Sequence, residues 1–160
     1  GNTFSYKGVQ LRVLFTFDQG SQIFDGGGEF KTANGRFRDN QHVSQLDAWE
    51  EPGDQTDVPE PRLFVNNGAA ESSRYLYDAS YVRLKNVNLS YDLPTRLVQR
   101  LSVSSARIYV TGQNLLTFTD YRWWDPEANA DAFSGNLGFG NEFYTAPQAR
   151  SVTGGIRLSF

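Results

Sequence analysis

The residues best suited to do chemistry in this sequence are two adjacent tryptophans. Trp123 and Trp124, with Tyr121 beside them, could stack on a sugar or contact a partner protein, because aromatic side chains anchor interfaces. The same side chains could belong instead to an aromatic girdle at a membrane boundary, and Tyr121 favours that interpretation. Both hypotheses stay open at the level of the sequence.

A run of carboxylates forms a second candidate site. Its members are Glu50, Glu51, Asp54, Asp57 and Glu60. Calcium prefers such oxygen ligands, so calcium binding in this segment is one hypothesis. The regular D-x-D-x-D-G spacing does not occur, and we favour a solvated outer loop. We therefore assign no metal ligand and predict that the chain has no cofactor.

The sequence offers little for catalysis or for binding nucleic acid. Cysteine is absent, which excludes disulfides, zinc–thiolate sites and thiol nucleophiles. His42 is the only histidine, and it lies in a polar segment far from any predicted structured nucleophile. The net charge is −3 and no basic stripe occurs, so we expect no nucleic-acid partner. We therefore predict that the chain is not an enzyme and has no catalytic residues.

The elements that must position these residues are β-strands. Apolar side chains alternate with mostly polar ones through residues 9–17, which is the period of a strand. The phase changes near Lys85 and Asn86, which predicts a bulge. The predicted strands lie near residues 2–6, 9–20, 79–91, 106–118 and 149–160.

Two helical segments are predicted between these strands. A short helix is expected near residues 43–50. Pro94 begins a short amphipathic turn with Leu97, Val98 and Leu101 on one side. No apolar run approaches the ~18–20 residues of a membrane-spanning helix.

The connections between strands are sorted by length. The turn at Lys7 and Gly8 and the link 92–105 are short, whereas residues 21–73 and 119–147 form long loops. Consecutive antiparallel strands put alternate connections at opposite ends, so the long loops are expected at one end, as in outer-membrane barrels. The few strands predicted here cannot close a barrel, since even the smallest membrane barrels have ~8 strands. We expect the remaining strands to come from a preceding chain or another fragment, and Gly1 to follow a part that was removed or left out.

The C-terminal half carries a series of motifs in a fixed order. They are residues 78–94, residues 107–118, the group Tyr121 with residues 125–127, residues 147–150 and the terminal Phe160. In order and spacing, these motifs resemble those of SusC/RagA-type TonB-dependent outer-membrane transporters. This resemblance implies an all-β fold, in which this chain is the C-terminal portion of a 22-stranded transmembrane barrel with long extracellular loops. It also implies a Gram-negative outer membrane of the Bacteroidetes as the location.

The resemblance further implies partners and a substrate class. Members of this family import glycan oligosaccharides or peptides together with a SusD-like surface lipoprotein. TonB acts on an N-terminal plug, which this sequence does not contain. Outer-membrane lipid and the rest of the same barrel would surround the chain.

The last strand resembles the terminal signal that the barrel assembly machinery recognises through edge pairing. Thr153, Gly155, Leu158 and Phe160 occupy its fixed polar, glycine, apolar and aromatic positions. Arg157 lies opposite the apolar row, so we expect it to face the lumen of the barrel.

Two rival interpretations remain. A soluble β-sandwich that binds carbohydrate would use exposed Trp and Tyr side chains as stacking platforms. A small barrel enzyme is disfavoured, because the sequence has no paired catalytic groups.

Overall fold

The computed structural model describes residues 1–100, 103–130 and 140–160, and Leu101 lies outside this part of the chain. Most of its regular elements are strands, as the all-β prediction requires. The strands are β1 (Asn2–Tyr6), β2 (Val9–Asp18), β3 (Gln22–Asp25), β4 (Leu76–Asp78), β5 (Tyr81–Asp92), β6 (Ser105–Thr119), β7 (Asn141–Glu142) and β8 (Ser151–Ser159). The helices are α1 (Gly28–Lys31) and α2 (Thr95–Arg100), with 3₁₀ turns at Val43–Asp47 and Ser73–Tyr75. Among the described residues, no helix has the length and apolar character needed to cross a membrane.

The chain divides into two compact units. The sheet unit consists of Gly1–Gly20, Ser80–Asp120 and Pro147–Phe160. The loop unit consists of Ser21–Ala79 and Tyr121–Ala146.

The sheet unit is one antiparallel sheet with the strand order β1-β2-β5-β6-β8. Its strands lie in the five stretches where alternation and motifs predict them. The predicted bulge is confirmed, because Leu84 and Asn86 pair with β6 while Lys85 between them is skipped. The extra residue shifts the phase by one and keeps Leu84 and Val87 on the same face of the sheet.

The two faces of this sheet differ sharply in polarity. Cross-strand partners share a face, and the register assembles one face almost entirely from apolar side chains. That apolar face includes Phe4, Val9, Leu11, Phe15, Phe17, Val82, Leu89, Ile108, Val110, Phe118, Val152, Ile156 and Leu158. The opposite, polar face includes Gln10, Arg12, Thr16, Asn86, Asn88, Ser90, Arg107, Thr111 and Arg157.

The apolar face is exposed, although it holds most of the large hydrophobic side chains of the sheet. Phe17 is 76% exposed and Ile156 is 67% exposed. In a β-sandwich the apolar face packs against a second sheet, so this exposure disfavours the soluble sandwich.

The long and short connections leave the sheet at opposite ends, as the sequence predicts. Asp18 pairs with Tyr81, and Tyr81 pairs with Thr119, so both long excursions start from one end. Tyr6 pairs with Val9 at the other end, where the two short connections lie.

The loop unit contains regular structure that the sequence does not predict. Its small sheet has the order β4-β3-β7, and β3 pairs with β7 in parallel. The predicted helix near residues 43–50 is a 3₁₀ turn at Val43–Asp47. Strands of two to four residues are too short to show an alternation, which explains why the sequence predicts no strands in this unit.

Candidate functional site

The loop unit encloses a cavity of about 440 Å³ that is lined by aromatic and charged side chains. Its lining residues are Lys31, His42, Arg122, Trp123, Trp124, Glu142 and Tyr144. Two of the three aromatic residues singled out in the sequence thus meet in one site. Tyr121 does not line the cavity; it is only 6% exposed, in a cluster with Ile23 and Ala79 against which Trp123 packs.

Backbone contacts bring the distant parts of the site together. Phe24 N–H donates to the Gly140 carbonyl at 2.7 Å, and Gly26 N–H donates to the Glu142 carbonyl at 2.8 Å. Helix α1 follows directly and ends at Lys31, whose carbonyl accepts from His42 N–H at 2.7 Å. Gly28 permits this path, because a Cβ there would lie 2.5 Å from the Tyr75 ring.

Lys31 joins a buried carboxylate to an aromatic ring. Its Nζ lies 2.8 Å from Oδ2 of Asp25, whose side chain is completely buried. The same Nζ lies 3.7 Å from the centroid of the Trp123 ring, within the range of a cation–π contact. A buried carboxylate needs such a partner to remain charged, so Lys31 holds this side of the cavity together.

Glu142 is a buried acid beside Asp25. Its Oε1 accepts from Thr145 N–H at 2.8 Å, and its side chain also forms a hydrogen bond with the Asp25 carboxyl. Burial, followed by the neighbouring Asp25 carboxyl, raises the pKa of Glu142 above its ordinary value. Glu142 therefore keeps its proton to a higher pH than an exposed glutamate does.

His42 presents a defined tautomer when it is neutral. Its Nδ1 accepts from Ser44 N–H at 3.2 Å, and a backbone amide can only donate. The proton of the neutral ring is consequently on Nε2. The ring stands edge-on to Trp123, with the centroids 5.2 Å apart.

Arg122 supplies the second cation of the cavity. Its guanidinium carbon lies 5.0 Å from the Trp123 ring and 5.5 Å from the Tyr77 ring. Sequence reasoning missed Lys31, Arg122, Glu142 and Tyr144 as members of the site. These residues are scattered between Lys31 and Tyr144 with no spacing motif, so no local signal could have grouped them.

The acidic segment is held by local contacts. Oδ2 of Asp54 accepts from the backbone N–H groups of Glu50 and Glu51 at 2.9 and 3.0 Å, which lowers the pKa of Asp54. Oε2 of Glu60 accepts from Arg62 at 2.9 Å. In the part of the chain that the structure describes, no group of three or more potential metal ligands occurs. Calcium binding here stays a prediction.

The proposed terminal signal lies on β8, one of the two edge strands of the sheet. Thr153 pairs with Thr111, Leu158 pairs with Ala106, and Phe160 follows the end of the strand. Gly155 pairs with Tyr109, and a Cβ at Gly155 would lie 2.6 Å from the Tyr109 hydroxyl. The tyrosine ring therefore covers the space that the glycine leaves.

Arg157 lies on the polar face, as its position opposite the apolar row predicts. It pairs in register with Arg107, whose guanidinium donates to both carboxylate oxygens of Asp92 at 2.6 and 2.8 Å. Both arginines line a groove of about 390 Å³ on this face. Whether this face borders a lumen stays a prediction.

Together, these features define an all-β chain with an amphipathic antiparallel sheet and a loop unit that carries an aromatic cavity. No family model matches the chain. Two relatives from Formosa agariphila are TonB-dependent receptor P3, 34% identical, and TonB-dependent receptor P26, 30% identical, each over 99% of this chain. The chain spans 16% of the length of each of these relatives.

Solved structures show the same similarity. The chain matches the RagAB peptide importer in its closed-closed state with a TM-score of 0.76 and 32% identity, over 98% of this chain and 16% of that one. The open-open state gives a TM-score of 0.74 with 31% identity, over the same shares. The resemblance to TonB-dependent transporters is thus confirmed over nearly the whole of this chain.

Proposed function

We propose that this chain is part of the barrel wall of a TonB-dependent transporter in the outer membrane of a Gram-negative bacterium. The observation that carries the proposal is the exposed apolar face of the sheet unit. Transmembrane barrels present such a face to lipid and a polar face to the interior. In this arrangement Arg12, Asn88 and Arg157 face the lumen, and Leu89 and Ile156 face lipid.

The ends and edges of the sheet fit the same function. Both long excursions leave one end, which in this proposal is the extracellular end, and the short connections lie in the periplasm. Strands β1 and β8 are the edges of the described sheet, and lipid does not tolerate unpaired edges. The remaining strands of a 22-stranded barrel would pair with them, and β8 would be recognised by the assembly machinery.

The transported substrate and the partners belong to the proposal as well. The similarity to a peptide importer and to TonB-dependent receptors supports nutrient import, of glycan oligosaccharides or peptides. A SusD-like lipoprotein would cover the extracellular loops, and TonB would act through a plug. The chain would act as wall and loop, not as an enzyme.

The test exchanges one residue on each face of the sheet. Leu89→Arg would place a charge on the apolar face, and Gln113→Arg would place the same charge on the polar face. In a lipid bilayer we expect Leu89→Arg to lower the free energy of unfolding by about 2 kcal/mol, because an arginine costs about 2–4 kcal/mol at the midplane and less toward the interfaces. Gln113→Arg should be close to neutral, since Gln113 lies opposite the uncharged Asn86 and Ser151. Denaturant titration of the protein in phospholipid vesicles measures both.

A soluble module predicts the opposite outcome. Leu89 is already exposed, and exposed positions in water change stability by only about 0.5 kcal/mol. Equal and small effects of the two substitutions, together with cooperative folding in buffer without detergent, would overturn the transporter proposal.

A further inference from the structure

We propose that the cavity of the loop unit binds the carboxylate-bearing sugar ring of an acidic oligosaccharide. The inference rests on the proposed function, because it assumes that the loop unit faces the medium from which substrate is captured. It goes further by naming the site and the chemical class of its ligand.

The cavity has the size and the exposed rings of a sugar site. Its volume of about 440 Å³ falls within the ~300–1,000 Å³ of small-molecule pockets. Trp124 is 64% exposed and Tyr144 is 49% exposed, so both rings are open to a ligand. Trp123 is different, since Lys31 covers its face, and it forms a wall of the site. Flat, exposed rings suit the apolar C–H face of a pyranose.

The polar groups of the cavity are mostly hydrogen-bond donors. Arg122 and Lys31 are cations with no acceptor, and the neutral His42 ring carries its proton on Nε2. Lys31 is paired with the buried Asp25, so among the described lining residues Arg122 is the cation that a ligand can pair with. The acid among these described residues is Glu142, and its raised pKa reduces the negative charge that it would present. Such a set favours a ligand that carries a carboxylate.

The geometry favours a sugar over a peptide. Extended peptides commonly bind by adding a strand to an exposed sheet edge. The cavity-lining strand at an edge of the small sheet is β7, which includes Glu142. Its Asn141 carbonyl already accepts from Ala130 N–H at 2.8 Å, so that edge is occupied by the chain itself.

The experiment measures binding to the protein in detergent by isothermal titration calorimetry. The probes are digalacturonate, the neutral disaccharide lactose and the acidic peptide triglutamate. We expect digalacturonate to bind at least tenfold more tightly than lactose or triglutamate. Arg122→Ala should weaken digalacturonate binding at least tenfold and leave lactose binding unchanged. Trp124→Ala should weaken it to a similar extent by removing the stacking surface.

The matched control is Arg38→Ala. Arg38 is also an exposed arginine of the loop unit and lies 5.1 Å from the Phe64 ring, but it does not line the cavity. Its removal should leave binding unchanged. Equal affinity for digalacturonate and lactose, tighter binding of triglutamate, or equal losses in Arg38→Ala and Arg122→Ala would each overturn the proposal.

A separate measurement distinguishes this proposal from the transport function. Uptake of a labelled substrate by cells tests transport, whereas calorimetry tests the site. Transport with no digalacturonate binding refutes only the site. Tight, Arg122-dependent binding by a protein that folds without detergent refutes only the membrane function.

Discussion

The sheet unit and the loop unit differ in where they place their apolar and charged side chains. The sheet unit exposes large hydrophobic side chains such as Phe17, Val152 and Ile156. Among the described residues, the loop unit buries three charged side chains, Asp25, Asp125 and Glu142, whereas the sheet unit buries one, Arg83. Burial in this chain therefore does not follow hydrophobicity alone, since the sheet unit exposes large apolar side chains and the loop unit buries charged ones.

The stabilising interactions of the two units differ accordingly. The sheet unit is held by backbone pairing along five strands, and its side chains contribute mainly on the polar face, as between Arg107 and Asp92. The loop unit has short strands and depends on side chains, especially the Lys31–Asp25 ion pair and the ring contacts of Trp123. Loss of one side chain should therefore matter more in the loop unit.

The largest expected effect comes from removing the buried Lys31–Asp25 ion pair of the loop unit. Lys31→Ala leaves the Asp25 carboxylate buried and unpaired, which typically costs about 3–5 kcal/mol. We expect the loop unit to unfold locally while the sheet unit stays intact. Hydrogen exchange with mass spectrometry should show faster exchange in Ser21–Ala79 and unchanged exchange in β5 and β6.

The control for this prediction is Arg62→Ala. Arg62 and Glu60 form an ion pair of similar length, 2.9 Å, but both side chains are largely exposed. Such pairs contribute about 0–1 kcal/mol, so exchange should hardly change. If Lys31→Ala changes hydrogen exchange as little as Arg62→Ala does, the loop unit does not depend on the buried Lys31–Asp25 ion pair.

An intermediate effect is expected in the sheet unit at Gly155. Gly155→Val would force the Tyr109 ring from its place, and overpacking costs about 1–3 kcal/mol. The loss should appear as a lower denaturant midpoint in lipid vesicles. Adding Tyr109→Ser should restore much of the stability by clearing the space. If the losses of stability simply add in the double variant, the position of the Tyr109 ring does not depend on the glycine at position 155.

The smallest effect is a pH dependence of the loop unit. The pKa of Glu142 is raised in the folded state, so the folded protein binds a proton more tightly than the unfolded chain. Stability from this group is therefore present below the ordinary glutamate pKa and is lost as pH rises through the raised value. Exchange in the loop unit should slow, relative to its intrinsic rate, on acidification from neutral pH. Glu142→Gln should remove this difference, and an unchanged pH profile in that variant would contradict it.

Much of the sheet unit could be predicted from the sequence. Alternation in residues 9–17 and the phase change at Lys85 are local signals, and they are sufficient because strand side chains alternate with a period of two. The sorting of long and short connections follows from the same strands. The packing of the Tyr109 ring over Gly155 could not be predicted, because it depends on the register in which β6 pairs with β8.

The candidate site was predicted only in part. Trp123 and Trp124 were found because adjacent tryptophans are conspicuous, and Tyr121 was grouped with them by proximity in sequence alone. The strand β3 directs Asp25 to the interior, and the 3₁₀ turn positions His42 through its contact with Ser44. Neither arrangement produces a periodic pattern in the sequence. The polar lining residues of the cavity could therefore be identified only from the structure.

The parallel pairing of β3 with β7 has a consequence for the order of folding. Phe24 and Asn141 are neighbours in the small sheet, yet β5 and β6 lie between them in the chain. Closing so long a stretch of chain carries a large entropic cost before any contact forms. The small sheet of the loop unit therefore cannot form until β3 and β7 have been brought together. We expect residues 21–79 to stay incompletely ordered, and open to proteases, until that pairing forms.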